Sequence, residues 1–175
     1  MTLNARLLLA GLLLAPINAA IAQTANSDGA SRTQSIQTAE TGWQVICRPH
    51  QADRSKLDCS IVYETFTTND RVRVTAVEIV KGEKGRTVIV SVPVGVNLKD
   101  GLELMIDGAN RQALTYASCQ SNGCFATFDM DAKLIDTIRK GKNLSVGFSD
   151  GQGSKVKVDI SLVGFNAAFL KSDDK

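Results

Sequence analysis

The chain has 175 residues, with 20 Lys and Arg against 18 Asp and Glu, four cysteines and a single histidine. That length is one domain's worth once a leader is set aside. The charge is nearly balanced and scattered, which argues against a nucleic-acid partner and a polybasic membrane contact, since both need a clustered basic excess.

The N-terminus reads as an export signal. Arg6 is the only charge before an apolar run, Leu7 to Ala15, and Pro16 and the A-x-A triplet Ala20-Ile21-Ala22 follow. The run is about half the roughly 20 residues that a bilayer span needs, so residues 1–22 are expected to be a cleaved signal peptide, not an anchor. No later segment is long and apolar enough to span a membrane. From Gln23 to Glu40 the chain is mostly Ser, Thr, Gln, Ala and Asn, with Ile36 its only larger aliphatic residue. Such a stretch buries too little apolar area to offset its ordering entropy. It predicts a flexible leader at 23–40 and a folded domain over 41–172.

Period-two alternation begins at Trp43 and marks half-buried strands joined by Gly, Asn and Asp turns. Trp43, Val45 and Cys47 share one face of a first strand; Cys59, Ile61 and Tyr63 share one face of a second. A hairpin then runs from Val72 to Val80 and from Arg86 to Val92 across Gly82-Glu83-Lys84-Gly85. Its apolar residues change parity near Ala76-Val77, which predicts either a bulge there or a strand covered on both sides. Further strands are expected at Leu102–Ile106, Leu114–Cys119 and Cys124–Phe128. One segment reads as a helix: Asp129 or Asp131 can cap it, Leu134, Ile135 and Ile138 form its stripe, and Arg139-Lys140-Gly141 stops it.

The last hairpin is the clearest. Setting Phe148 opposite Val156 places Val146 opposite Val158 and Leu144 opposite Ile160, so one register buries every apolar residue and exposes Lys155 and Lys157. About eight short strands with one short helix point to an all-β sandwich, with a closed barrel as the alternative.

In an oxidising compartment an even cysteine count favours disulfides, and four cysteines allow three connectivities. Placing Cys47 opposite Cys59 also sets Val45 opposite Ile61 and Trp43 opposite Tyr63, continuing the apolar face in register. Cys119 and Cys124 flank Gln120-Ser121-Asn122-Gly123, whose Asn-Gly is a strong turn signal. The expected pairs are therefore Cys47–Cys59 and Cys119–Cys124, each closing a loop worth roughly 2–3 kcal/mol. The spacings fit neither a zinc site nor a redox Cys-x-x-Cys pair.

One motif suggests chemistry. Gly147-Phe148-Ser149-Asp150-Gly151 satisfies G-x-S-x-G, but that pattern works only on a strand-to-helix turn with a histidine and an acid in reach. Here it lies between two strands, and the only histidine, His50, sits in a loop after Cys47. No catalytic residue, metal site or cofactor is expected.

Several segments taken together resemble a known family. Gly42-Trp43-Gln44-Val45-Ile46-Cys47 opens the domain; Val92-Pro93-Val94-Gly95-Val96, Gly101-Leu102-Glu103-Leu104 and Ile106-Asp107-Gly108 mark its middle. Tyr116-Ala117-Ser118-Cys119, Asn122-Gly123-Cys124-Phe125-Ala126 and Ser161-Leu162-Val163-Gly164-Phe165 mark its end. In that order they resemble the invasion-associated locus B family of alphaproteobacterial envelope proteins, over about Gly42 to Leu170. The resemblance implies an immunoglobulin-like antiparallel β-sandwich, export to the periplasm or outer envelope, and a family-level link to host-cell invasion. It brings no catalytic residues.

Two functions are open. The favoured one is a non-enzymatic binding module for an envelope or host protein, using the loop Arg48–Asp58 (Arg48, His50, Asp53, Arg54 and Asp58) and the turn Gln120–Gly123. The alternative is an envelope hydrolase using Ser149.

Overall fold

The computed structural model describes residues 33–35, 38–82 and 85–173; the expected signal peptide lies outside the described residues. Two sheets pack face to face. The first runs β1 (Thr33–Ser35), β12 (Lys155–Ser161), β11 (Asn143–Ser149), β7 (Leu102–Ile106) and β8 (Ala109–Leu114). The second runs β2 (Thr38–Glu40), β4 (Leu57–Thr67), β5 (Arg73–Gly82), β6 (Gly85–Val92), β10 (Gly123–Met130) and β9 (Ser118–Gln120). β3 (Gln44–Pro49) lies beyond β2 along the same edge of β4. The strand pairings are antiparallel except β1 on β12, so the expected antiparallel sandwich is the architecture observed.

Alternation supplies the core. Leu104, Val146, Val158 and Ile160 face inward from the first sheet, and Ile61, Tyr63, Val77, Ile79 and Val90 from the second, all buried. Each such side chain contributes roughly 1.5–3 kcal/mol on leaving water. The register Leu144–Ile160, Val146–Val158, Phe148–Val156 is the expected one. Both disulfides are also as expected: Cys47–Cys59 and Cys119–Cys124 each join directly paired residues.

Four expectations need correction. Among the described residues the single expected helix is two: α1 (Ala132–Lys140), capped by the Asp131 carboxylate, which accepts from the Leu134 N–H at 2.7 Å, and α2 (Phe165–Asp173). α2 buries Phe165, Ala168, Phe169 and Ser172, one face at helical spacing. The strand expected at Leu114–Cys119 is absent; β8 ends at Leu114 and β9 starts at Ser118. β8 itself was not foreseen, although Asp107-Gly108 forms its two-residue turn, with φ of 51° and 71°. Of the two readings of the parity change at Ala76-Val77, the covered strand is the one observed, since both residues are buried; the bulge lies instead at Val74, because Thr65 pairs with Thr75 while Phe66 pairs with Arg73. Finally, β1 and β2 fall within the stretch expected as a flexible leader. Their pairing runs through the backbone groups of two sheet edges, which a polar sequence satisfies as well as an apolar one.

An aromatic and ionic clasp holds α2 against the sandwich. The Trp43 ring lies 5.1 Å from Tyr63 and 5.0 Å from Phe165, and its Nε1 donates to the Ser161 carbonyl at 2.8 Å. The buried Arg86 guanidinium stacks over Phe169 at 4.3 Å and donates to Ser172 Oγ at 3.1 Å and Asp173 Oδ1 at 2.6 Å. Burial pushes the Asp173 carboxyl up, but Lys81 and Arg86 more than offset this and hold it below its ordinary value.

Candidate functional site

The loop residues do not gather into one cluster. His50 Nδ1 accepts from the backbone N–H groups of Ala52 and Asp53 at 3.1 and 3.2 Å. Asp53 in turn accepts from the Ser55 hydroxyl at 2.6 Å and its N–H at 3.1 Å, and these bonds hold its carboxyl below its usual range. Both residues therefore act within the loop, shaping it. His50 and Asp58 also line a pocket of about 460 Å³ with Leu57, Lys81 and Ser172. Arg54 is exposed. Arg48 points elsewhere, onto the outer face of the seven-stranded sheet.

That outer face is the feature the sequence did not reveal. Ile61 and Tyr63 of β4 face the core, so Val62 and Glu64 face out. Register sets Val62 beside Glu78 and Ile89, and Glu64 beside Ala76, Ser91 and Phe125. These residues line a groove of about 350 Å³ whose border includes Ile46, Arg48, Arg73 and Asn122. Val62, Ala76 and Ser91 are buried although they point outward. Arg48 Nη1 lies 3.7 Å from Glu78 Oε1, and Arg73 Nη1 lies 3.3 Å from Glu64 Oε1. Arg73 Nη2 also donates to the Asn122 carbonyl at 3.2 Å. The structure thus brings one residue of each expected surface, Arg48 from the loop and Asn122 from the turn, to a single groove. The signal available in the sequence was apolar Ile46, Val62, Ala76 and Ile89 at positions that alternation assigns to a wet face.

Ser149 lies under the outer face of the other sheet. Its hydroxyl donates to Asp100 Oδ2 at 2.5 Å and accepts from Lys155 Nζ at 2.7 Å, and Lys155 also reaches Asp100 at 3.0 Å. The hydrogen bond from Ser149, then that from Lys155, holds the Asp100 carboxyl below its ordinary value. Serine beside lysine can be a nucleophile when the lysine is neutral and the hydroxyl is open to substrate. Here Lys155 is ion-paired and Ser149 is fully buried. The motif occupies a strand end and a hairpin turn, not an elbow before a helix. The cluster ties the Asp100 segment to the β11–β12 hairpin, a tie repeated by the Asn97 N–H donating to the Ser149 carbonyl at 2.9 Å.

Among the described residues no helix is long and apolar enough to cross a membrane, and no three His, Cys, Asp or Glu residues gather as a metal site.

Geometry defines the class first: a disulfide-stapled β-sandwich with an outward groove of mixed apolar and charged lining on one sheet and a charge-paired face on the other. Comparison with known proteins then places it. A family model described as invasion associated locus B (IalB) protein matches residues 43–173, and the chain belongs to that family. Invasion protein B homologues from Brucella abortus strain 2308 and from biovar 1 strain 9-941 are each 31% identical over 136 residues, 76% of both chains. The crystal structure of invasion associated protein B from Bartonella henselae shares the fold, with a TM-score of 0.66 at 20% identity. The match covers 79% of this chain and 95% of that one.

Proposed function

We propose that the protein is an exported, non-enzymatic binding module of the cell envelope, and that it docks an envelope or host protein through the groove on its seven-stranded sheet. The family's association with invasion would then be exercised by docking. The observation that carries this reading is convergence: Arg48 and Asn122 border one outward groove whose lining mixes apolar Val62, Ala76, Ile89 and Phe125 with Glu64, Glu78 and Ser91. A concave face that mixes apolar and polar groups, about as apolar as the rest of the surface, is what non-obligate docking surfaces look like.

The test is site-specific photo-crosslinking in cells, with the reactive group at Asn122 or, as a control on the opposite sheet, at Gly147. Adducts are expected from Asn122 alone and should vanish in Ala76→Arg, whose long side chain fills the groove. Equal adducts from both positions would remove the groove from consideration. Export has its own check: protein recovered from the envelope should begin at Gln23, and a chain beginning at Met1 would refute cleavage.

One observation favours the hydrolase alternative, the 2.7 Å contact between Ser149 and Lys155. A serine-reactive phosphonate probe should label neither the parent nor Ser149→Ala. Labelling of the parent alone would overturn the non-enzymatic reading.

A further inference from the structure

We infer that the occupant of this groove is a second copy of the same chain, related by a two-fold axis lying parallel to the strands. The inference rests on the groove being a docking surface and adds what docks there.

Charge arrangement carries it. The rim bears two arginines and two glutamates, so it offers no net attraction to an acidic or a basic partner. Their placement alternates. Arg48 and Glu64 stand on β3 and β4, while their partners Glu78 and Arg73 stand on β5. Across the sheet, one ion pair therefore runs positive to negative and the other negative to positive. A two-fold axis along the strands exchanges the β3–β4 side with the β5 side. The midpoints of the two pairs, on β4 and between β4 and β5, lie about 2.4 Å apart across the strands, so one axis between them lays each pair close to the same pair reversed, with arginine beside glutamate of the other copy. Such a surface complements itself, as a two-fold interface must.

Relief agrees with charge. The Arg48 side chain is 67% exposed and stands clear of the face, while Glu78 is 30% exposed and sits low. The protruding arginine of one copy can therefore enter over the recessed glutamate of the other. Small floor residues, Ala76 and Ser91, leave room between them. Size agrees too. Five strands at about 4.8 Å spacing, and the length of β4 at about 3.3 Å per residue, give a face on the order of 800 Å². That is about the area a stable interface buries on each partner.

Sedimentation velocity of the protein purified from cells tests this, using two charge-sorted variants. Glu64→Arg with Glu78→Arg leaves only cations on the rim; Arg48→Glu with Arg73→Glu leaves only anions. The parent is expected to dimerise at tens of micromolar, each variant alone to associate at least tenfold more weakly, and their equimolar mixture to recover the dimer. Melting curves confirm that each is folded. Should a double variant fail to fold, Ala76→Arg serves in its place and should give a monomer. A parent that stays monomeric at about 200 μM, or folded variants that dimerise alone or fail to recover when mixed, would overturn the inference. These failures separate cleanly from that of the docking reading. A monomeric parent that still crosslinks another protein through Asn122 loses only the second copy, whereas loss of all Asn122 adducts sinks the groove itself.

Discussion

The two sheets obey the same alternation and treat their outer faces in opposite ways. On the five-stranded sheet the outward side chains are charged and locally matched: Lys155 with Asp100, Lys157 with Asp159 at 2.9 Å, and Arg111 with Glu103. On the seven-stranded sheet Val62, Ala76, Ile89 and Phe125 also face out, interleaved with Glu64 and Glu78, which pair with Arg73 and Arg48. A face finished with short-range ion pairs has its hydrogen-bonding and electrostatic needs met internally. Val62 and Ala76 are buried on the seven-stranded sheet's face, and the half-buried Ile89 and Phe125 keep some apolar surface in water, a cost that a partner would relieve. The contrast says where to look for recognition, and two glycines, one from each sheet, probe it directly.

The largest effect is expected at Gly123 on the seven-stranded sheet. Its φ is +147°, and a Cβ added there would lie 2.8 Å from the Val92 carbonyl oxygen, a backbone atom that cannot swing aside. Gly123 also pairs with Gln120 to close the turn that places Asn122 at the groove. Gly123→Ala should therefore cost about 2 kcal/mol, a fall of roughly 6 °C in melting temperature, and should reduce Asn122 crosslinking along with stability. A variant that melts like the parent would show that this end of the groove is not rigidly held.

Much of this framework was legible in the residues and some was not, for physical reasons. The β11–β12 register could be read in full because one face is wet and one dry, so a slip by one residue would bury Lys157 and expose Val158. The Cys47–Cys59 pairing followed from the same constraint. α2 escaped because only Phe165 and Phe169 mark its buried stripe strongly; Ala168 and Ser172 complete it weakly, while Leu170, equally apolar, is 55% exposed. β8 escaped because it is a polar edge strand, Asn110-Arg111-Gln112, held by a turn and by backbone pairing. The groove escaped for a different reason. Apolar residues of both parities on β4 to β6 show that both faces are apolar, yet only the assembled sheet shows which lies under the other layer and which meets solvent.

A smaller, pH-dependent effect should distinguish the charge-paired face. Burial pushes the Asp159 carboxyl up, but hydrogen bonds from Ser145 and Lys157 more than offset it, leaving it below its ordinary value. A carboxyl depressed in the folded state stabilises fully above the unfolded value of about 3.9, and that stabilisation is lost as pH falls through the folded value. Asp159→Asn should thus cost a few tenths to about 1 kcal/mol at pH 7, as expected for a mostly exposed pair. The gap between parent and variant should close as pH falls through the folded value, below the ordinary carboxylate range, read from denaturant midpoints across the pH range. A gap that persists there would mean that Asp159 acts through packing and not through its charge.

The smallest effect is expected at Gly147, on the outer face of the five-stranded sheet. A Cβ there would meet Glu103 Cβ at 3.7 Å and the Glu103 carbonyl oxygen at 3.8 Å, ordinary contact distances. Nothing in its backbone demands glycine, and a glycine inside a strand forfeits roughly 0.5–1 kcal/mol of conformational entropy relative to alanine. Gly147→Ala should therefore leave stability unchanged or raise it by about 0.5 kcal/mol, with the same denaturant slope as the parent and undiminished crosslinking from Asn122. Loss of crosslinking in this variant would mean that the charge-paired face also takes part in docking, and the division between the two sheets would fall.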